Sequence, residues 1–183
     1  MADPLWKKKF EIINKHGVTK EILDIGCNVG DFSEMFIESG HVVSGADIDT
    51  ENLGKARQKK ICTIQTDLNY GINLPNESFE TIFALEIVEH LSNSERVVKE
   101  AYRILKKDGK FYVSVPYFGF LKRILVSAFF FDLVFGYKQP HLRFFSEKMF
   151  KEMLEKNGFK IEKVYKLGRF FPFYMDMMVV CTK

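Results

Sequence analysis

The sequence predicts one doubly wound α/β domain, and two observations support this prediction. The chain of 183 residues is long enough for one domain of ordinary size, whereas two cores would each be small. Short apolar runs alternate with amphipathic stretches of helix length from residue 21 to residue 115. Such connections imply parallel pairing, because a parallel crossover needs about a dozen residues. We therefore expect helices on both faces of a mainly parallel sheet, within a single domain that spans residues 1–183.

Five strands and three helices are expected in the first part of the chain. The expected strands, each a short apolar run, are residues 21–25, 41–46, 61–66, 79–85 and 110–115. The expected helices follow residue 31, cover residues 51–60, and run from the capping residues Ser92–Ser94 to a stop at Lys107–Gly109. This order of elements is typical of a parallel sheet with crossover helices.

The pattern changes after the fifth strand. Residues 118–135 are almost wholly apolar, and a helix that is apolar all round implies burial, a partner or lipid. We interpret this segment as a lid over a substrate pocket, a dimer surface or a membrane contact. A helix capped by Ser146 should end at Gly158, and residues 159–166 and 173–182 have the pattern of two closing strands.

Composition and charge exclude several classes of protein. Hydrophobic residues make up 46% and charged residues 28%, close to globular averages, which argues against disordered, fibrous and membrane-spanning chains. Residues 1–110 hold 15 basic against 18 acidic residues, and residues 111–183 hold 12 against 6, which suggests two separate tasks. Three cysteines without metal-ligand spacing, and a start without an apolar leader segment, predict a cytoplasmic protein in a reducing compartment.

The turn after the first strand carries the clearest functional signal. It reads Asp24-Ile-Gly26-Cys27-Asn28-Val-Gly30-Asp31, and its glycines let the backbone turn tightly and approach a ligand. A dinucleotide fingerprint that began at Gly26 would need glycines at positions 28 and 31. Because a carboxylate beside a pyrophosphate is unfavourable, Asp24 and Asp31 favour a nucleoside with a positively charged group over NAD.

Two more carboxylates follow the next two strands. Asp47 ends the second strand, where an acidic side chain can accept hydrogen bonds from both hydroxyls of a ribose. Asp67 ends the third strand and could accept a hydrogen bond from the exocyclic amine of adenine. Taken singly, such carboxylates could equally cap helices, pair with lysines or begin loops. Together they lie at successive carboxyl ends of parallel strands, where open α/β sheets bind ligands.

Several stretches resemble the S-adenosylmethionine-dependent methyltransferases with a seven-stranded Rossmann-like core. Residues 21–30 resemble motif I of that family, and residues 44–49 resemble its second motif. Residues 103–116 resemble the stretch that closes the fifth strand. Residues 140–146 and 157–159 resemble the C-terminal signature of the type 11 and related subgroups. The resembling stretches occur in the family's order and cover most of the chain.

The resemblance implies a sheet in the order 3-2-1-4-5-7-6 with the last strand antiparallel, S-adenosylmethionine as cofactor and S-adenosylhomocysteine as product. The cofactor-binding residues that it implies are Asp24, Gly26, Cys27, Asn28, Gly30, Asp47, Ile48, Asp67, Leu68 and Glu86. Two positions depart from the family pattern: Asn28 stands where glycine is common, and Asp49 stands where serine is frequent. Asparagine tolerates unusual backbone angles, so the first departure is mild.

The candidate catalytic residues are Glu89, His90 and His141, downstream of the fourth strand. Methyl transfer is an in-line displacement, which needs a base only where the acceptor must lose a proton. Capping, packing or a loop hydrogen bond would equally explain these residues. The spacing from Glu86 to His90 also resembles a divalent-metal site in ubiquinone-biosynthesis O-methyltransferases and small-RNA 2′-O-methyltransferases, whose ligands here would be Glu86, Glu89, His90 and His141. Whether a divalent metal binds here therefore stays open, and we assign no metal ligand.

We expect a methyltransferase that acts on a small-molecule or lipid-linked acceptor, at oxygen. Two alternatives stay open: a non-catalytic protein that binds S-adenosylmethionine and a partner, and a metal-dependent RNA 2′-O-methyltransferase. Scattered basic charges and an isoelectric point of about 8.6 argue against a nucleic-acid partner. A homodimer through residues 118–135 and a peripheral membrane contact stay open as well.

Overall fold

The computed structural model describes residues 3–117, 143–171 and 173–183, together with positions 119, 124 and 128. Its strands are β1 (Glu21–Ile25), β2 (Val42–Asp47), β3 (Cys62–Gln65), β4 (Phe79–Leu85), β5 (Leu105–Pro116), β6 (Lys160–Gly168) and β7 (Tyr174–Thr182). Its helices are α1 (Pro4–His16), α2 (Asp31–Glu38), α3 (Thr50–Gln58), α4 (Ser94–Ile104) and α5 (Glu147–Lys156), with a short 3-10 helix at Val88–His90.

The strands form one sheet in the order β3-β2-β1-β4-β5-β7-β6. β7 runs antiparallel to both of its neighbours, and the remaining strand pairs are parallel. The doubly wound α/β fold and the implied strand order are both confirmed. Because β1 to β4 run in the same direction, the loops that follow them meet at one edge of the sheet, which we call the carboxyl edge.

Two apolar clusters, one on each face of the sheet, form the core. Successive residues of a strand alternate between the faces, so that Ile82 packs in one cluster and Phe83 in the other. On the face covered by α1 and α2, Phe83 makes ring contacts with Phe36 and Tyr112 at centroid distances of 4.8 and 5.8 Å. α4 and α5 cover the opposite face, through Val98 and other buried residues.

Helix α1 lies in a part of the chain for which the sequence analysis predicts no element. Asp3 caps it, and the Asp3 carboxylate accepts a hydrogen bond from the backbone N–H of Leu5 at 2.8 Å. Pro4 occupies the first turn, where its missing N–H has no cost. Ile12 and Ile13 bury one face of the helix against the sheet. The Asp-Pro start was a readable helix signal, and α1 proves important for the site.

The predicted boundary between α4 and β5 is wrong. The helix was expected to stop at Lys107–Gly109, but it ends at Ile104, and Leu105 already pairs with Phe79 in the sheet. Leu105 is fully buried and extended, with φ −68° and ψ 132°. Asp108, whose φ is +61°, therefore lies in an irregularity within β5, where the pairing with β4 shifts register, and does not end a helix.

Several expectations fall on residues outside the described ranges. His141 and most of the apolar segment 118–135 lie there, so the lid, dimer and membrane interpretations of this segment stay predictions. Within the described ranges, none of the helices combines the length and the apolar character needed to cross a bilayer. The cytoplasmic location stays a prediction.

Candidate functional site

A cavity of about 190 Å³ opens at the carboxyl edge of the sheet. The turn between β1 and α2, the end of β4 and helix α1 form its walls. Its lining residues are Trp6, Asp24, Gly26, Cys27, Asn28, Val29, Asp31, Phe32, Leu85 and Glu86. Five of the ten implied cofactor-binding residues are therefore brought together around one space.

The turn between β1 and α2 needs glycine for packing as well as for its backbone angles. Gly26 has φ +81°, and a Cβ at this position would lie 2.6 Å from Cγ1 of Ile87, which follows β4. Gly30 has φ +77° and stands against Ile61 and Ala56, so it serves helix packing and does not line the cavity. Both positions exclude any larger residue without movement of their neighbours.

Asn28, at the position where the family that the sequence resembles commonly has glycine, adopts a left-handed backbone conformation. Its φ is +51°, and its side-chain Oδ1 accepts a hydrogen bond from the backbone N–H of Val29 at 2.7 Å. Asparagine populates this conformation more readily than most residues with a Cβ. The departure from glycine is therefore accommodated without a change in the course of the turn.

Asp24 forms a buried acidic part of the cavity wall. Its side chain accepts a hydrogen bond from the hydroxyl of Ser33 at 2.6 Å, and the residue is only 5% exposed. Burial raises the pKa of Asp24 to about 6, although the bond from Ser33 acts in the opposite direction. Asp24 is therefore mostly ionised at neutral pH and places a negative charge beside the cavity.

Asp47 joins the turn after β1 to the end of β2. Its two carboxylate oxygens accept hydrogen bonds from the backbone N–H groups of Asn28, at 2.9 Å, and Asp49, at 3.0 Å. A carboxylate offers about four acceptor positions, so hydroxyl donors can still be accommodated. Ile48, beside it, is 59% exposed, and neither residue lines the cavity itself.

Cys27, Asp67 and Leu68 have structural roles, and for Asp67 this is the loop role that the sequence left open. Burial raises the pKa of the Cys27 thiol, which keeps it neutral, and the sulfur packs where Gly45 has no side chain. Oδ1 of Asp67 accepts hydrogen bonds from the backbone and side-chain N–H groups of Asn69 at 2.9 and 3.0 Å, so Asp67 also begins a loop. The Leu68 side chain is buried in the apolar core.

Glu86 is held on the cavity wall by a group of buried polar residues. Its Oε1 accepts hydrogen bonds from the hydroxyl of Ser114 and from Nζ of Lys9, the latter at 3.0 Å. Nζ of Lys9 also forms an ion pair with Asp176. Lys9 and Asp176 are 1% and 3% exposed. The backbone of Glu86 is left-handed, with φ +54°, a strained conformation for a non-glycine residue that is frequent at functional sites.

Glu89 and His90 lie on the 3-10 helix that follows Glu86. Glu89 is fully buried, its carboxylate makes no hydrogen bond to any described residue, and its Oε1 lies 3.7 Å from Nε2 of His90. Burial, followed by the negative charge of Glu86, raises the pKa of Glu89 to about 8. Among the residues that the structure describes, no three histidine, cysteine or carboxylate side chains are arranged to hold a metal ion.

Sequence reasoning missed the contribution of α1 and β7 to this site. Trp6 lines the cavity and packs edge-on against Phe32 at a centroid distance of 5.9 Å. The Asp-Pro helix start could have placed Trp6 on a helix. No local pattern distinguishes Lys9 from its exposed neighbours, because its partner Asp176 is distant in sequence.

Comparison with known proteins agrees with the fold and the motif. Residues 5–164 match the family model for a methyltransferase domain. The chain is 29% identical to the mitochondrial ubiquinone biosynthesis O-methyltransferase of Rattus norvegicus over 161 aligned residues. The aligned region covers 79% of this chain and 45% of that protein. The ubiquinone biosynthesis O-methyltransferase of Glaesserella parasuis is 31% identical over 105 residues, 52% of this chain and 44% of that protein. The chain spans less than half the length of these two relatives.

A solved structure supports the same fold. An S-adenosylmethionine-dependent methyltransferase of Thermotoga maritima superimposes with a TM-score of 0.76 over 97% of this chain and 89% of its own. The two chains are 20% identical in sequence, so the likeness establishes the architecture alone.

The environment of Asp24 predicts a specific pH dependence of stability. Because its pKa is raised to about 6 in the folded protein from an ordinary value of 3.8, the folded state binds more protons between these two pH values. Stability should therefore fall as pH rises from about 4 to about 6. An Asp24→Asn variant should lose less stability than the wild type over this range, by up to about 3 kcal/mol, in urea unfolding. Glu38→Gln, an exposed carboxyl on α2, is the control, and parallel curves for Asp24→Asn and wild type would contradict the assignment.

Proposed function

Because the chain belongs to the methyltransferase-domain family, we propose that it transfers a methyl group from S-adenosylmethionine to a small-molecule acceptor. The observation that carries the proposal is the match of residues 5–164 to the family model, with the turn around Gly26 on the wall of the cavity. The fold alone would leave the chemistry open, because this architecture hosts many activities. The charges at the cavity supply the chemical argument.

The residues at the cavity fit S-adenosylmethionine, which supplies a methyl group on a positively charged sulfur when it is bound. Asp24 and Glu86 present carboxyl groups to the cavity, and ionised carboxylates stabilise sulfonium and ammonium groups. The spare acceptor positions of Asp47 suit the two hydroxyls of a ribose. Asp67, with Ile48 and Leu68, is the proposed adenine contact at the ends of the neighbouring strands.

The same charges disfavour a nicotinamide dinucleotide. A pyrophosphate at the turn after β1 would face the negative charge of Asp24, and Asp31 also lines the cavity. Helix α2 begins at this turn, but its first residues supply acidic side chains where a dinucleotide site relies on backbone N–H groups and glycines.

Calorimetric titration tests the cofactor assignment. We expect S-adenosylhomocysteine to bind the wild type with micromolar affinity, while NAD, the control ligand, does not bind. Asp47→Ala should weaken the binding of S-adenosylhomocysteine by about a hundredfold or more, because two hydrogen bonds to a charged acceptor are lost. Asp49 lies two residues after Asp47 and caps α3, so Asp49→Ala is the matched control for the loss of a carboxylate from this loop. Unchanged affinity of Asp47→Ala would remove Asp47 from the site.

For the acceptor, the proposal is a hydroxyl group whose proton is taken by His90. Oxygen is supported by the two relatives named as O-methyltransferases. His90 is partly exposed on the 3-10 helix after Glu86, and Oε1 of the buried Glu89 lies 3.7 Å from its Nε2. Because the pKa of Glu89 is about 8, this carboxyl keeps its proton at pH 7 and suits hydrogen-bond donation better than proton abstraction. His141, outside the described residues, is kept as the third candidate.

Substitution of His90 separates catalysis from binding. His90→Gln should lower turnover of a phenolic acceptor by roughly 10²-fold to 10⁴-fold, the usual contribution of a general base. Its affinity for S-adenosylhomocysteine should match that of the wild type. His41→Gln is the matched control, since His41 bonds to the backbone carbonyl of Thr19 at the opposite edge of the sheet. Full turnover by His90→Gln would leave proximity and orientation as the whole mechanism.

A lipid-linked acceptor is supported by exposed aromatic residues at the carboxyl edge. Phe170 and Phe171, in the turn between β6 and β7, are 74% and 67% exposed. The turn is ordered by a hydrogen bond from the N–H of Phe173 to the carbonyl of Phe170 at 2.7 Å. Arg169, beside them, is also exposed and positively charged. An apolar tip with adjacent positive charge suits the interface of an anionic bilayer.

Vesicle sedimentation tests this part of the proposal. The wild type should sediment with vesicles of phosphatidylcholine and phosphatidylglycerol, and less with phosphatidylcholine alone. The double variant Phe170→Gln, Phe171→Gln should lose this binding severalfold without a change in affinity for S-adenosylhomocysteine. Met149→Gln, an exposed apolar residue on α5, serves as the control. Equal sedimentation of the double variant and the wild type would assign the turn no role at a membrane.

A further inference from the structure

Lys9 is a buried charge whose place in the fold calls for a functional explanation. It belongs to α1, yet its ammonium reaches residues from β5, β7 and the end of β4: Ser114 at 3.0 Å, Asp176 in an ion pair, and Glu86 at 3.0 Å. Burying an ammonium costs several kcal/mol unless it is paired and hydrogen-bonded. The two carboxylates provide that compensation, and the neighbouring charges raise the pKa of Lys9 although burial alone would lower it.

Two donors at this site meet on one oxygen of Glu86. Lys9 and Ser114 both donate to Oε1 of Glu86. The Glu86 side chain is about one-third exposed and lines the cavity. Two donors on the same oxygen therefore fix the direction of the carboxyl group, whose exposed part lies at the cavity.

The backbone of Glu86 shows why such a restraint is needed. A residue with a Cβ in the left-handed region carries strain of order 1–2 kcal/mol, and it keeps that conformation only where the surrounding contacts determine it. The N–H of Glu86 bonds to the carbonyl of Ser114 at 3.1 Å, and the side chain is held from the other side by Lys9. Burial and the negative charge of Glu86 raise the pKa of Asp176 to about 7, and the Lys9 ammonium, which pairs with both carboxyl groups, acts in the opposite direction.

Helix α1 couples this restraint to the shape of the cavity. Trp6 and Lys9 are three residues apart, so both project from the same face of the helix. Trp6 forms part of the cavity wall, and Lys9 holds the acid on the adjoining wall. Docking of one helix therefore places an aromatic ring and orients a carboxylate at the same time.

We propose that Lys9 is a positioning residue, whose ammonium orients Glu86 toward the positively charged amino group of the cofactor. The inference rests on the proposed function, because it takes S-adenosylmethionine and its product as the ligands of the cavity. Lys9 itself touches no ligand and acts through Glu86. Its effect on binding must therefore depend on the presence of the Glu86 carboxylate.

A double-mutant cycle on ligand affinity tests this dependence. Lys9→Met should weaken the calorimetric affinity for S-adenosylhomocysteine at least tenfold, and Glu86→Gln should weaken it by a similar factor. In the Glu86→Gln background, Lys9→Met should cause less than a twofold further loss, because the oriented group is already absent. A general structural role would give losses that multiply, and that result would overturn the proposal.

Controls separate this inference from folding and from the proposed function. Lys8→Met removes an exposed lysine on the same helix and should leave affinity unchanged. If Lys9→Met fails to fold, Ser114→Ala removes the other donor to Oε1 without leaving a buried charge. It should weaken affinity threefold or more in the wild type, and have no effect in Glu86→Gln. Failure of the wild type to bind S-adenosylhomocysteine would overturn the proposed function, whereas tight binding by Lys9→Met would overturn this inference alone.

Discussion

The absence of a side chain at Gly26 is the constraint on which the site depends. A Cβ at this position would come within 2.6 Å of Ile87, so glycine allows the turn after β1 to pack directly against the residues after β4. That close approach holds Asp24 and Glu86 on walls of the same cavity. Parallel pairing alone would bring the strand ends to one edge, but it would not fix the distance between their loops.

Helix α1 completes the site from outside the sheet, and a buried ion pair adds to the apolar packing of Ile12 and Ile13 that holds it there. Lys9 contacts Glu86 and Asp176, and Trp6, one turn earlier, closes the cavity against Phe32. A buried pair of this kind adds little net stability compared with apolar residues of the same size, since desolvation offsets the attraction. Its effect is directional: the pair ties α1 to the ends of β4 and β7 at Lys9, and so favours the docking that also places Trp6 at the cavity.

The sequence was sufficient to predict what depends on local patterns. Apolar runs placed the strands, the caps placed α5, and the resemblance to a known family supplied the strand order. The prediction of the boundary at Leu105 failed because a buried leucine fits the end of an amphipathic helix and the start of a strand equally well. Lys9 could not be recognised because it stands in a run of three lysines, and Asp176 lies on the last strand. Long-range charge pairing leaves no trace in a single sequence.

Burial gives two carboxyl groups of the site different chemistry. Asp24 has a pKa of about 6 and accepts a hydrogen bond from Ser33, so it carries a negative charge at neutral pH. Glu89 has a pKa of about 8 and lies fully buried beside Glu86, so it is mostly protonated under the same conditions. Acids whose pKa values are driven apart commonly serve opposite roles in one reaction. On the proposed function, Asp24 would stabilise the positively charged methyl donor, while a protonated Glu89, 3.7 Å from Nε2 of His90, would be a proton donor rather than a base.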